Sequence, residues 1–439
     1  MDSWSTPGKT SASTCPACGG GLLFDPTLGK LKCEFCDSVY TPEEVEALWA
    51  QKAGEESQGL AEPEGGSPDG GETVREYEPV DFGADEEMRS YSCSTCGAEL
   101  LADKTTAVMR CPYCGNQTIV EEQFSGAIRP DYIIPFTQTK DQAEEKYYEF
   151  YRKRFLLPKS FKNNNHVEEI QGVYVPFWMF SGRVHLEGSY IAYDEAEDDD
   201  GHKYITGRYE VHRRGYLDFE NVPADASERM DDDLMDSVEP YKLDGLKDFS
   251  MVYLPGFMAE RYDVSEEESR ERGHDRAEGS IKSEVRKTIK HDGIDQADEK
   301  FWYENESTKY ALMPVWLLVT KWKDKTFKFA MNGQTGRMVG DLPVSAGKMI
   351  GVLVPLFILI LAVFNMVTGG EKVLESLFIA GIVDLLVGVF MYSSMKSVFS
   401  ATSAGGYISQ SLELVFQDEK KIGGFKARKL KKEMKKNKE

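Results

Sequence analysis

Two residue types on which catalysis often depends are scarce here. Among 439 residues there are six histidines and eight cysteines, and every cysteine stands in a C-x-x-C pair. No thiol is left over as a nucleophile, and no serine, cysteine or carboxylate stands at recognisable spacing beside a histidine. His185 and His212 fall on expected strands and are read as structural. With no catalytic constellation, the chain does not read as an enzyme. Positive charge is short as well: 52 basic residues face 74 acidic ones, for a formal net charge of −22. Residues 418–439 hold ten of the basic and four of the acidic groups, leaving −28 on the rest. So acidic a body repels nucleic-acid phosphates. No long apolar run lies near the N-terminus, so the apolar segments further on are not read as a cleaved signal.

Charge is missing altogether from Met349 to Thr368, MIGVLVPLFILILAVFNMVT. About 20 apolar residues is the length a helix needs to cross a ~30 Å hydrocarbon core. After Gly369-Gly370-Glu371-Lys372 the chain turns apolar again to Met395, with one mid-span charge, Asp384. The spacing predicts transmembrane helices over 349–368 and 374–395. A four-residue turn cannot cross a membrane, so both ends of the pair emerge on one side. The Lys- and Arg-rich segment that follows places that side in the cytoplasm, with both termini of a multi-pass protein of the cytoplasmic (inner) membrane. Such a tail is also drawn to anionic lipid. Asp384 is costly inside a membrane. Gly381 and Gly388 flank it, so either the three form a contact surface for another helix, or Asp384 is protonated and bonded within its own hairpin.

The cysteines form two sets. Cys15, Cys18, Cys33 and Cys36 recur 78 residues later as Cys93, Cys96, Cys111 and Cys114, with fourteen residues between the pairs each time. The repeat extends to Gly19 and Gly97, Leu22-Leu23 and Leu100-Leu101, Asp25 and Asp103, and Phe35 and Tyr113. Two residues between thiolates let a knuckle turn bring both sulfurs to one metal, and a short hairpin brings the second knuckle opposite the first. Four thiolates close a tetrahedron around Zn²⁺ and leave no position for water. Two structural zinc ions per chain are expected. In a reducing cytoplasm, metal thiolates are favoured over disulfides.

The chain therefore reads as a multi-domain protein of two zinc ribbons, an α+β domain with antiparallel sheets, and a C-terminal two-helix transmembrane hairpin. Residues 1–14 form a loose N-terminus, and Gly8-Lys9-Thr10 lacks the first glycine of a phosphate loop. The first ribbon with a short helix spans 15–52, the helix starting at the capping box Thr41-Pro-Glu-Glu44. Residues 53–90 are a Gly-, Glu-, Pro- and Ser-rich acidic linker that cannot bury enough apolar surface to order itself. The two ribbons are thus read as tethered rather than fused. The second ribbon spans 91–124, the α+β domain 125–345 and the basic tail 418–439. Within the α+β domain, helices are expected over 139–157 and 265–289, with strands over 172–180, 183–193, 204–216, 310–323 and 325–331. The segments Val175-Pro-Phe-Trp178-Met-Phe and Met313-Pro-Val-Trp316-Leu-Leu suggest two related halves. Asp194 to Gly201 mimics a calcium loop, but the frame set by Gly201 puts Ala196 and Gly207 where carboxylates are required. It is read as a solvated hairpin tip.

The paired ribbons, the segment MPVWLLVTKW from Met313 and the segment FAMNGQTGRMVGDLP over 329–343 resemble a family of bacterial membrane proteins. That family is described as TFIIB-type zinc-ribbon proteins and is sometimes labelled primosomal helicase-like. The resemblance implies neighbours among SPFH (flotillin-like) and TPM-domain membrane proteins, and a role in a membrane complex in envelope stress. No helicase motif accompanies the ribbons. Function reads first as a non-enzymatic, membrane-anchored adaptor recruiting protein partners at the cytoplasmic face. The alternative is a nucleic-acid-binding ribbon protein tethered to the membrane. A third reading, a membrane enzyme using the α+β domain, rests on the histidines alone. The mixed charge of the ribbons, Lys30, Lys32 and Arg110 against Asp25, Glu34, Asp37, Glu99 and Asp103, favours protein partners over nucleic acid.

Overall fold

The computed structural model describes residues 10–11, 15–48, 51, 88–92, 99–103, 106–110, 117–120, 129–152, 154–164, 167–198, 201–323, 325–368, 373–398, 407–409 and 411–423. They form an α+β protein of mainly antiparallel strands, with two apolar helices toward the C-terminus. The chain divides into two units. The first contains Met1–Pro176, Tyr241–Asp263 and Leu312–Val398; the second contains Phe177–Pro240, Val264–Ala311 and Phe399–Glu439. The α+β region expected over 125–345 is thus shared between two units, each with its own helix.

The second unit is built on one long hairpin. Strand Val167–Glu197 pairs with Lys203–Asp225 from Phe177↔Asp225 to Glu197↔Lys203. Along it Val184, Leu186, Tyr190 and Ala192 are buried on one arm and Val211, Leu217 and Phe219 on the other, at the spacing of two that a half-covered strand requires. The acidic stretch ends the hairpin: Gly201 takes φ +83° and its N–H donates to the Asp198 carbonyl at 3.0 Å. Helix Glu266–Lys287 covers the buried side. It starts at a capping box closed by Ser265 and Glu268, and buries Ala277, Ile281 and Val285. Gly273 belongs to that face because a Cβ there would stand 2.6 Å from the Phe180 ring.

Two strands escape the periodic reading. Gly293–Trp322 begins in a charged segment, and Glu413–Gly423 pairs antiparallel with residues 208–216. Residues 418–423, assigned above to the basic tail, are therefore part of a sheet. Their backbone pairing outweighs a composition that reads as solvated.

In the first unit, helix Lys140–Arg152 is capped by Thr139 and Gln142, whose side chains and backbone N–H groups bond reciprocally at 3.2 and 2.9 Å. It buries Tyr147 and Tyr151 and ends at Arg152, short of the expected 157, and Phe155 beyond it is 63% exposed. Strands Lys325–Asn332 and Met338–Gly340 complete this side of the sheet. The first ribbon does not hang free of this unit. Phe24 donates its N–H to the Pro255 carbonyl at 2.8 Å and sets its ring edge-on to Tyr253 at 5.4 Å. Residues 106–110 also join the unit, Val108 pairing with Ala259. The linker assigned to 53–90 lies outside the described residues as far as residue 87; strand Met88–Ser92 then pairs with Glu99–Asp103.

Helices Ala346–Thr368 and Val373–Ser393 pack against each other and are both long and apolar enough to cross a membrane. Among the described side chains, none of the first is buried, and of the second only Ser376 and Ala380 are. The buried core hairpin of a soluble protein would show the opposite. Both ends of the pair are fastened to the first unit. Lys348 Nζ donates to the carbonyls of Phe155 and Leu157 at 3.0 and 2.9 Å, and Arg154 donates to the Ser394 carbonyl at 2.7 Å.

Candidate metal centre

The first cysteine set converges as its spacing requires. After Leu22–Asp25 the chain turns back through Lys30–Cys33, pairing Leu22 with Cys33 and Phe24 with Leu31. The knuckles lie at the open end of this hairpin. In the first, Gly19 N–H donates to the Cys15 carbonyl at 2.8 Å, and Gly19 takes φ +73°, a value that glycine adopts without strain. In the second, Asp37 N–H donates to the Cys33 carbonyl at 3.2 Å with φ +57°.

The four sulfurs of Cys15, Cys18, Cys33 and Cys36 lie within 4.8 Å of one another. Two edges measured across the knuckles are 3.6 Å, Cys15 to Cys36, and 3.5 Å, Cys18 to Cys33. A tetrahedron with metal–sulfur bonds of ~2.3 Å has edges of about 3.8 Å, so the cage fits one ion. Electrostatics point the same way. The Ser38 hydroxyl and backbone N–H draw the Cys36 thiol down to about 6. Although the Gly20 N–H favours its thiolate, Cys18 is pushed up to about 12 by the sulfurs of Cys36 and Cys33. Four thiolates this close need a cation among them. Cys15 and Cys33 are buried while Cys18 and Cys36 are exposed, so the cage sits at the ribbon surface.

Cys93, Cys96, Cys111 and Cys114 lie outside the described residues. The strands between and around them can be compared with the first set. Leu31 pairs with Tyr40 and Lys32 with Val39; shifted by 78 residues, Met109 pairs with Thr118 and Arg110 with Gln117. The backbone register of this strand pair repeats along with the cysteine spacing.

Asp384 belongs to a seam that the spacing did not reveal. Its Oδ1 is buried and finds no hydrogen-bond partner among the described residues. Gly388 lies against Leu353 of the other helix, where a Cβ would stand 3.5 Å away, whereas Gly381 has nothing within 4 Å. Seven residues apart, Gly381 and Gly388 lie on one side of the helix, which is packed at Gly388 and open at Gly381. Toward the turn, Asn365 Nδ2 donates to the Leu361 carbonyl at 2.8 Å and to Ser376 Oγ at 3.4 Å. Asn365, a polar residue inside an apolar run, was the available signal for this tie.

His185 and His212 do not meet. His185 pairs with Tyr216 and His212 with Ser189, four residues apart on the hairpin, or about 13 Å. His185 stacks on Trp302 at 4.9 Å with Nε2 3.2 Å from Glu304, and His212 Nδ1 lies 2.8 Å from Ser189 Oγ. The serine beside His212 is reached only through cross-strand register, which no sequence spacing encodes.

Comparison with known proteins places the chain beside the protein of Bacillus subtilis (strain 168) named "Uncharacterized protein YdjG". The two are 31% identical over 311 residues, covering 59% of this chain and 91% of that protein. No protein-family profile matches the chain, and no solved structure does.

Proposed function

The chain belongs to the same family as that Bacillus subtilis protein, and from this premise we propose that it is a membrane-anchored, non-enzymatic adaptor whose zinc ribbons recruit protein partners. The observation that carries the reading is an exposed aromatic on a ribbon whose four cysteines converge. Phe35, between Cys33 and Cys36, is 75% exposed, with Val39 three residues beyond Cys36 also exposed, while Leu22, Phe24 and Leu31 fill the ribbon's inner side. Aromatic and aliphatic groups held outward on a rigid knuckle are the anchors around which protein interfaces form.

Zinc is the metal the donor set favours, since four soft thiolates in a closed tetrahedron suit it best. The repeated register at residues 109–110 and 117–118 supports a second such site at Cys93, Cys96, Cys111 and Cys114. The two apolar helices supply the anchor. Strand Lys203–Asp225 precedes them and its partner Glu413–Gly423 follows them, which supports a hairpin with both flanks on one side. The Lys- and Arg-rich segment after Gly423 favours the cytoplasmic side and contact with anionic lipid. The resemblance to TFIIB-type zinc-ribbon membrane proteins suggests SPFH and TPM-domain proteins as partners, in envelope stress. Nucleic acid is the weaker reading, because Lys32 on the first ribbon is already paired with Asp37 at 2.8 Å.

The test is co-purification from native membranes, comparing wild type with Phe35→Ser at matched expression and with zinc measured in both preparations. The proposal expects two zinc ions per chain in each, and a protein partner that is lost from the variant. Recovery of the same partner by both, nucleic acid as the main companion, or under one zinc per chain would each overturn it.

A further inference from the structure

Strand Glu413–Gly423 uses one edge to pair with residues 208–216. Among the described residues no strand pairs with its other edge. Residues 415–422 are all exposed, with Val415 at 66%, Phe416 at 53% and Ile422 at 48%. A long open edge carrying apolar side chains is a template for another strand, and soluble sheets normally shield it.

We infer that its occupant is the same strand of a second copy of this chain, joined antiparallel about a twofold axis. Backbone geometry limits how this can happen. Each residue points its N–H and C=O to the same edge, and successive residues alternate edges. Two copies meeting through one edge must therefore face residues an even number of positions apart, which puts the axis on a residue.

Side chains then select the residue. The ladder is regular from Phe416 to Lys421, and with the axis on Glu419, Asp418 faces Lys420 of the second copy, a pair that occurs twice. An axis on Asp418 would set Phe416 against an ammonium group. An axis on Lys420 would oppose two ammonium groups. Opposite charges and apolar pairs directly across strands stabilise, while like charges there destabilise. The Glu419-centred register satisfies both Asp418–Lys420 pairs at once. The two Glu419 side chains lie on the other face, the side of buried Val211 and Arg213. There Arg213 forms an ion pair with Glu419, which offsets the repulsion across the axis. Such an isologous contact closes after two copies and does not propagate.

The test is a charge swap, read as the protein molar mass of the detergent-solubilised full-length chain over a dilution series. Wild type is expected to be dimeric at micromolar concentration. Asp418→Lys and Lys420→Asp should each weaken dimerisation at least about tenfold, because each reverses two cross-strand pairs. The double variant should return to within about threefold of wild type. Within the chain Asp418 faces His212 and Lys420 faces Glu210. If the single variants acted by detaching the strand, the double variant would be the worst of the three. A monomeric wild type, a dimer indifferent to the single swaps, or a double variant no better than the singles would overturn the inference.

Discussion

In the first unit the indole N–H of Trp316 donates to the Gln138 carbonyl at 2.9 Å; in the second, Trp178 donates to the Val264 carbonyl at 3.0 Å. Each acceptor immediately precedes the N-cap of its unit's helix, Thr139 or Ser265. Gln138 N–H donates to Gly333 and Val264 N–H to Ala226, at 3.0 and 3.2 Å. Val315 pairs with Asn332 as Phe177 pairs with Asp225. These are two copies of one construction: a Pro-x-Trp strand, a hairpin returning to a polar residue, and a helix pinned by the indole. The copies differ at that polar residue. Asn332 Oδ1 accepts from the N–H groups of Gln334 and Thr335 at 2.9 and 2.8 Å. The Asp225 carboxylate is buried beside the Ser227 backbone N–H and the Asp232 carboxylate. The copy fastened to the apolar helices ends its hairpin in a satisfied turn, while the other retains a buried acid.

The comparison breaks most visibly at the tryptophans. Trp316→Ala and Trp178→Ala should each cost about 3–5 kcal/mol, the range for deleting a large buried aromatic. Trp316 should stand at the upper end, since its ring meets Phe136 and Phe257 at 5.2 and 5.9 Å, whereas Trp178 meets Tyr310 at 5.4 Å. Denaturant unfolding of the purified protein measures both. A silent Trp178→Ala would mean that the second copy is not held as the first is.

Asp225 sharpens the difference. Burial, opposed by the Arg272 guanidinium and reinforced by the Asp232 carboxylate, pushes its carboxyl up to about 8. A pKa raised above the unfolded value of ~3.9 leaves stability intact at pH 4, and stability then falls as pH climbs toward 8. Asp225→Asn should therefore match wild type near pH 4 and exceed it by a few kcal/mol at pH 8. Thermal unfolding across that window reads the effect, and parallel profiles would contradict it. The caps give the smallest effect. Thr139→Ala and Ser265→Ala should each lose about 1 kcal/mol, and equal losses would extend the equivalence to the helix starts.

What was legible in the sequence is what local chemistry determines. The first cysteine set, the capping box at Thr41 and the two apolar spans depend on residues a few positions apart. The pairing of Glu413–Gly423 with residues 208–216 depends on residues some 200 apart, and its Asp-Glu-Lys-Lys core reads as solvated tail. The same holds for the charged start of Gly293–Trp322, whose place in the sheet is set by its neighbours. The Pro-x-Trp repeat was visible as a pattern, but its meaning was not. Each indole is pinned to a helix start more than 80 residues away in the chain, and the equivalence of Asp225 and Asn332 appears only once both registers are known.

The most direct measurement on the proposed membrane anchor is the sidedness of its segments. Epitope tags placed after Gly369, before Met1 and after Glu439 can be probed on intact and on lysed cells. The tag in the turn should be reached from outside intact cells, while both terminal tags should be reached only after lysis. A terminal tag accessible on intact cells, or two termini on opposite sides, would contradict it.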